Sequence, residues 1–164
     1  MNAPYPWLNP LWSRLLSMRQ KLPHSVLLAG PRGIGKLALA RVWAKSLLCE
    51  QPTGNGEACG QCEGCHWFEA GTHPDFLHLT LLEKENKEGE VRLATEIGVE
   101  QAREAVDFIQ LSTYRAGRRL VLVEPAEALN TASANALLKV LEEPPLNTLF
   151  VLVSHQPRRL LPTI

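Results

Sequence analysis

"SVLLAGPRGIGKL", Ser25 to Leu37, is a short apolar run that breaks into a glycine-rich turn and ends on a lysine. The run predicts a buried strand over Ser25–Gly30, and "IGKLALARVWAKSLL" (Ile34–Leu48) carries the apolar spacing of a helix. Strand, glycine loop and helix in that order are the context of a phosphate-cradling loop. Its pattern is Gly, four residues, Gly, Lys, then Ser or Thr. Gly30, Gly35 and Lys36 stand in their places, with Gly33 between them, but the hydroxyl position holds Leu37.

Outward from this stretch the same alternation continues. Residues 8–20 place Leu8, Leu11, Trp12, Leu15 and Leu16 at helical spacing. "DFLHLTL" (Asp75–Leu81), "RRLVLVE" (Arg118–Glu124) and "LFVLVS" (Leu149–Ser154) are further strand candidates. Between them lie a helix over 99–111, with Val99, Ala102, Val106 and Ile109 on one face, and a helix over Thr131–Glu143. The latter is expected to be capped by Thr131 and stopped by Pro144 and Pro145. "EKENKEGE" (Glu83–Glu90) reads as a charged loop. Apolar strands alternating with helices imply an α/β fold, a parallel sheet covered on both faces.

The totals narrow the function classes. A chain of 164 residues, 45% apolar, suffices for one domain with a core, residues 1–164. Lys plus Arg and Asp plus Glu are 17 each, so summed charge exerts no long-range pull on nucleic acid or anionic membrane. "MNAPYPWLNPLWSRLL" lacks a basic lead followed by an apolar run, and no stretch approaches the roughly 20 apolar residues of a membrane span. A reducing cytoplasm is the expected setting, and it disfavours structural disulfides.

All four cysteines fall in "CEQPTGNGEACGQCEGC", as Cys49, Cys59, Cys62 and Cys65. This stretch is turn-rich and lacks a periodic apolar face, so something other than a core must order it. Four thiolates with two-residue spacings suit a tetrahedral zinc ion, bound structurally because no position remains open for water. An iron–sulfur cluster fits the Cys-x2-Cys-x2-Cys run but lacks the usual fourth cysteine three residues on. "CEGCH" also matches a haem-attachment pattern, which leaves Cys49 and Cys59 unused. Zinc explains the most residues; His66 reads as a bystander.

In a working phosphate-loop enzyme the Ser/Thr hydroxyl and an acid on the third strand hold Mg²⁺. Here Leu37 cannot ligate it; Glu124 stands at the acidic position and Pro125 at that of the following base. Hydrolysis is therefore not expected. Nucleotide binding without turnover stays open, because Gly30, Gly33, Gly35 and Lys36 survive as a vestigial cradle.

Several segments together resemble one family. "HSVLLAGPRGIGK", the Cys49–Cys65 module, "AGTHPDF" (Ala70–Phe76), "NALLKVLEEPP" (Asn135–Pro145) and "TLFVLVS" (Thr148–Ser154) occur in the order seen in bacterial clamp-loader subunits of DNA polymerase III. The loss of both the loop hydroxyl and the Asp-Glu pair resembles the delta-prime, or stator, branch rather than the ATP-driven subunits. The resemblance implies an AAA+ domain with a zinc module at 49–65 and no ATPase activity of its own. It implies membership of the DNA polymerase III holoenzyme, a nucleotidyltransferase complex, where a ring of clamp-loader subunits (ATP-driven and delta) places the sliding clamp on primed DNA. It also implies that the helical and collar domains, and a Ser-Arg-Cys motif, follow Ile164, and that Ser154 occupies the family's sensor position. Two other readings remain: an active ATPase with an atypical metal site, and a zinc-dependent nucleic-acid-binding module.

Smaller signals have simpler explanations. Arg115, Arg118 and Arg119 could touch phosphates, but solvated loop charge is the plainer reading. Glu142 and Glu143 close a helix where negative charge is disfavoured, and a solvated end accounts for them. His24, His73 and His78 read as packing or turn residues, and Trp7 and Trp12 as core.

Overall fold

Two strands written largely in Leu and Val form the centre of the molecule: β5 (Arg119–Val123) and β6 (Thr148–Ser154) have every residue buried. The computed structural model describes residues 4–85, 89–114 and 117–160. β1 (Ser25–Ala29) pairs with β6, and β2 (Phe76–Leu79) with β5, all parallel, in the order β1-β6-β5-β2. The register sets Leu28 beside Val153, Val151 beside Leu122, and Val123 beside Leu79.

Because side chains alternate along a strand, each central strand feeds two cores. Leu120, Leu122, Leu149, Val151 and Val153 face α1 (Asn9–Ser17), α2 (Lys36–Leu48) and α3 (Glu63–Glu69), meeting Trp12, Leu15, Leu39, Trp43 and Phe68. Val121, Val123, Phe150 and Leu152 face α4 (Val99–Gln110) and α5 (Thr131–Glu142), meeting Ala105, Ile109, Leu137 and Val140. Each fully buried large aliphatic is worth roughly 1.5–3 kcal/mol of transfer free energy, so these central strands anchor the sheet.

The expected α/β alternation is present, with local departures. The charged stretch after β2 is not all loop: β3 (Glu83–Glu85) pairs antiparallel with β4 (Val91–Leu93). All six residues are exposed, so no buried face marks the hairpin in the sequence. Residues 86–88 of that stretch, Arg115 and the segment 161–164 lie outside the described residues. The cap of α5 is Asn130, not Thr131: its side-chain oxygen accepts a 2.9 Å hydrogen bond from the Ser133 N–H. The Asx side chain one residue earlier satisfies an otherwise orphaned donor of the first turn. Helix α2 starts at Lys36 rather than Ile34, because Gly33 and Gly35 take φ of +85° and +91°, outside helical space.

Trp12 is core, as expected, but Trp7 is not: it is 64% exposed and stacks on Tyr5 with ring centroids 4.9 Å apart. His73 is a turn residue, its Nδ1 accepting the Asp75 N–H. Glu142 and Glu143 are both exposed, as a solvated helix end requires. Among the described residues no helix is long and apolar enough to cross a membrane.

Candidate functional site

The glycine loop runs from the end of β1 to the start of α2, at the carboxyl edge of the parallel sheet. That edge is where ligands of open α/β sheets gather. Gly30 N–H bonds the Ser154 carbonyl at 3.2 Å, tying the loop to the neighbouring strand end. The structure thus brings Gly30, Gly33, Gly35 and Lys36 together around one turn.

Lys36 is 4% exposed, and its Nζ donates to the carbonyls of Gly30 (2.7 Å) and Pro31 (2.6 Å), both within its own loop. Burial pushes its ammonium below the usual lysine range, and the carboxylates of Glu127 and Glu124 pull the other way. The lysine that would reach a ligand's outer phosphates is instead folded inward. Leu37 is half-buried and packs against the core that α1 and α2 share. Its side chain is spent on packing.

The amino-terminal segment closes the loop from outside. A Cβ on Gly35 would sit 2.4 and 2.5 Å from two ring carbons of Tyr5, so only glycine lets the ring approach. Trp7 Nε1 donates to the Ile34 carbonyl at 3.0 Å. Tyr5 and Trp7 together lie over the N-terminus of α2, the point where a phosphate would meet helix N–H groups. Sequence reasoning had no local signal for this contact, which spans about thirty residues.

Acidic groups at the end of β5 are committed too. Glu124 Oε1 lies 2.9 Å from His155 Nε2. Glu127 receives the His155 N–H at 3.0 and 3.2 Å on its two oxygens. Burial pushes Glu127 up, but donations from its own N–H, the Ser154 hydroxyl and the His155 N–H outweigh it, leaving the carboxyl below its usual range. Ser154, at the expected sensor position, is fully buried and its Oγ accepts the Gln156 N–H. Glu127 and His155 were not singled out by sequence; a Glu four residues beyond the strand carries no motif. A cavity of about 320 Å³ adjoins these groups, walled by Arg32, Pro125, Glu127, His155 and Arg159.

The four cysteines converge. Their Sγ atoms lie within 4.8 Å of one another, with Cys49–Cys62 at 3.8 Å and Cys59–Cys65 at 4.0 Å. Four sulfurs about 2.3 Å from a tetrahedral zinc stand about 3.8 Å apart. The fit is close, and among the described residues no other such group occurs. Backbone N–H groups of Cys59, Gln61, Cys62 and Cys65 donate to the sulfurs at 3.3–3.4 Å, which favours thiolates. Donations from Gln61 and Cys62 bring Cys59 down to about 6, whereas burial pushes Cys65 up to about 12. The cluster could hold one metal ion. His66 is exposed and outside it. Cys62 also caps α3, whose Phe68 enters the core, so the cluster is stitched to the sheet.

The basic trio divides. Arg119 is buried: it donates to the carbonyls of Leu111 (2.9 Å) and Ser112, lies 3.9 Å from Asp75, and stacks over Phe108. Its role is structural. Arg118, one residue earlier, turns to the opposite face of the sheet, toward Arg19.

Comparison with known proteins identifies the family. The family model described as "DNA polymerase III, delta subunit" matches residues 10–164. The chain is 50% identical over 160 residues to DNA polymerase III subunit delta' of Pseudomonas aeruginosa, covering 98% of this chain and 45% of that protein. It is 38% identical over 162 residues to the Escherichia coli subunit delta', covering 98% and 46%. It is also 36% identical over 145 residues to the subunit gamma/tau of Mycobacterium tuberculosis, covering 88% and 23%. The chain therefore spans a little under half the length of the delta' relatives. A gamma subunit-related protein of Thermotoga maritima shares the fold, with a TM-score of 0.63 at 23% identity, over 93% of this chain and 42% of that one. On the family match and the delta' identities, the chain belongs to the DNA polymerase III delta-subunit family, on its delta' branch.

Proposed function

We propose that this chain is the AAA+ domain of a clamp-loader stator: it holds its place in the subunit ring and neither turns over nor needs ATP. Residues 1–164 form that domain, with the cysteine module of 49–65 inserted, and further helical and collar domains complete the protein. The observation that carries the reading is the self-occupied loop, in which Lys36 is bonded to Gly30 and Pro31 while Tyr5 covers Gly35. A nucleotide would have to break two charge-assisted hydrogen bonds, each worth roughly 1.5–3 kcal/mol, and displace an aromatic pair. Even then Leu37 offers no oxygen to Mg²⁺, and Pro125 no base to water.

The four cysteines are the site for a structural zinc, which supplies folding free energy to a segment without its own core. The partners on this reading are the ATP-driven and delta subunits, and through them the sliding clamp and primed DNA. No catalytic residue is assigned, and the transferase chemistry belongs to the holoenzyme.

The test uses the full-length protein in the reconstituted loader. Lys36→Met is expected to leave clamp loading within about twofold of the unaltered loader, whereas losing a working phosphate-loop lysine costs orders of magnitude. Mg·ATP titrated into the isolated full-length protein is expected to release no binding heat. Saturable, Mg²⁺-dependent binding, with loading abolished by Lys36→Met, would favour an active ATPase and end this proposal.

A further inference from the structure

At the end of the sheet opposite the glycine loop, the chain entering β1, β5 and β6 surrounds a cavity of about 340 Å³. Its lining includes Arg19, Lys21, His24, Arg118 and Asn147. Among the described residues no carboxylate lines it. Such one-signed convergence departs from a chain whose basic and acidic totals are equal.

The two arginines are held differently. Arg19 Nη1 donates to the carbonyls of Ser46 (2.8 Å) and Gly56 (2.9 Å), which fixes its guanidinium from the α2 side. Arg118 enters from the strand, and its Nε is buried with no hydrogen-bond partner among the described residues. Burial, and then the neighbouring Arg19 charge, push Arg118 below the usual arginine range. A buried donor without an acceptor costs roughly 1–3 kcal/mol, more when charged. The two carbonyls account for the placement of Arg19, whereas the Arg118 Nε has no such partner among the described residues and its charge stands beside that of Arg19. An anion in the cavity would offset the repulsion between the two guanidiniums.

We infer that this cavity is a phosphate-binding site, read by Arg118 and Arg19 and flanked by Lys21 and His24. The planar guanidinium fork matches phosphate oxygens bidentately, and the cavity's size admits a phosphate ester with its ordered water. Strand alternation explains why the site uses Arg118 and not Arg119, which the α4 side consumes. β1 and β5 are each five residues long, which sets the site roughly 16 Å from the glycine loop, so it stands or falls separately from that loop's state. The phosphate can be a free anion or a phosphodiester of nucleic acid; the chemistry is shared.

The experiment is a titration of the full-length protein with inorganic phosphate, followed by ³¹P line broadening, and a parallel titration with short single-stranded and duplex DNA across a salt series. Arg118→Gln is expected to weaken phosphate binding about tenfold or more, as the loss of one charge-assisted pair predicts. Arg118→Lys is expected to recover part of it. Lys21→Gln, an exposed change that cannot unfold the chain through burial, is expected to weaken binding by a few-fold. If DNA affinity falls in the same variants, with a salt slope reduced by about 0.7–0.9 per lost contact, the phosphate is a backbone phosphodiester. If phosphate binding responds and DNA binding does not, the site takes a free phosphate. No binding of inorganic phosphate at tens of millimolar, or binding indifferent to both Arg118→Gln and Lys21→Gln, overturns the inference; should Arg118→Gln fail to fold, Lys21→Gln decides.

Discussion

Replacing Cys65 by serine tests the metal site at its most buried corner. Cys65 is 1% exposed, 4.0 Å from Cys59, and sits in the first turn of the helix that delivers Phe68 to the core. A serine there keeps the volume but gives a hydroxyl in place of a thiolate, and a three-sulfur site loses most of its hold on the ion. A protein carrying its ion at a free concentration of about a thousand times Kd is stabilised by about 4.1 kcal/mol relative to the stripped chain. For a chain of 150–250 residues each kcal/mol shifts Tm by about 2–4 °C. Cys65→Ser is therefore expected to lower Tm by about 8–16 °C, and a strong chelator to lower the unaltered protein by the same amount. Metal analysis by plasma emission should find one zinc per chain before chelation and none in the variant. His66→Ala, an exposed neighbour outside the cluster, should keep the zinc and the Tm. Freshly purified protein with no metal, four thiols that titrate freely in the native state, and a Tm indifferent to chelator would refute the assignment.

Acid unfolding should report Glu127. Its folded carboxyl titrates below the ordinary 4.5, so the stability it contributes is complete above that value and is lost as pH falls through the lower folded one. Glu127→Gln should flatten the acid limb of a Tm-against-pH curve below about pH 4.5 and leave its neutral region unsteepened; an unchanged acid limb refutes the linkage. Arg119→Met should cost about 3–5 kcal/mol by urea unfolding, because it removes one partner of a buried pair with Asp75. A cost under 1 kcal/mol would show that Asp75 is satisfied without it.

The fold was legible because the central strands are apolar on both faces and the helices between them carry clear apolar stripes. Two cores require that composition, and little else does. The hairpin β3–β4 was not legible, since Val91 and Leu93 are exposed and nothing periodic separates that stretch from a loop. The clustering of the four cysteines, which could hold a metal ion, was legible in their spacing, because two-residue intervals bring thiols together locally and Cys49 is the one distant member. The cap at Asn130 is a one-residue choice between two capping types, which propensity cannot decide. What covers the glycine loop was invisible, because Tyr5 and Trp7 meet it through a fold-dependent contact. Arg118 and Arg119 looked alike in sequence, and only the alternation of β5 assigns one to the interior of the α4 face and the other to the cavity beside Arg19.

The phosphate-loop signature has a structural use within the molecule, and Lys36 shows it. Its ammonium joins the carbonyls of Gly30 and Pro31 across the turn, close enough to Glu124 and Glu127 to feel both charges. In a working enzyme this lysine serves the ligand, and its loss costs binding more than stability. Here it serves the loop, so Lys36→Met should cost stability: two charge-assisted hydrogen bonds vanish and two carbonyls are left unpaired, about 3–6 kcal/mol. The same variant should leave clamp loading by the reconstituted complex unimpaired at temperatures well below its Tm. Gly35 follows the same logic, since the Tyr5 ring excludes any Cβ there whether or not a nucleotide ever binds. A Lys36→Met protein as stable as the original would mean that the loop's bonds are dispensable, and the motif's retention would then point back to a ligand.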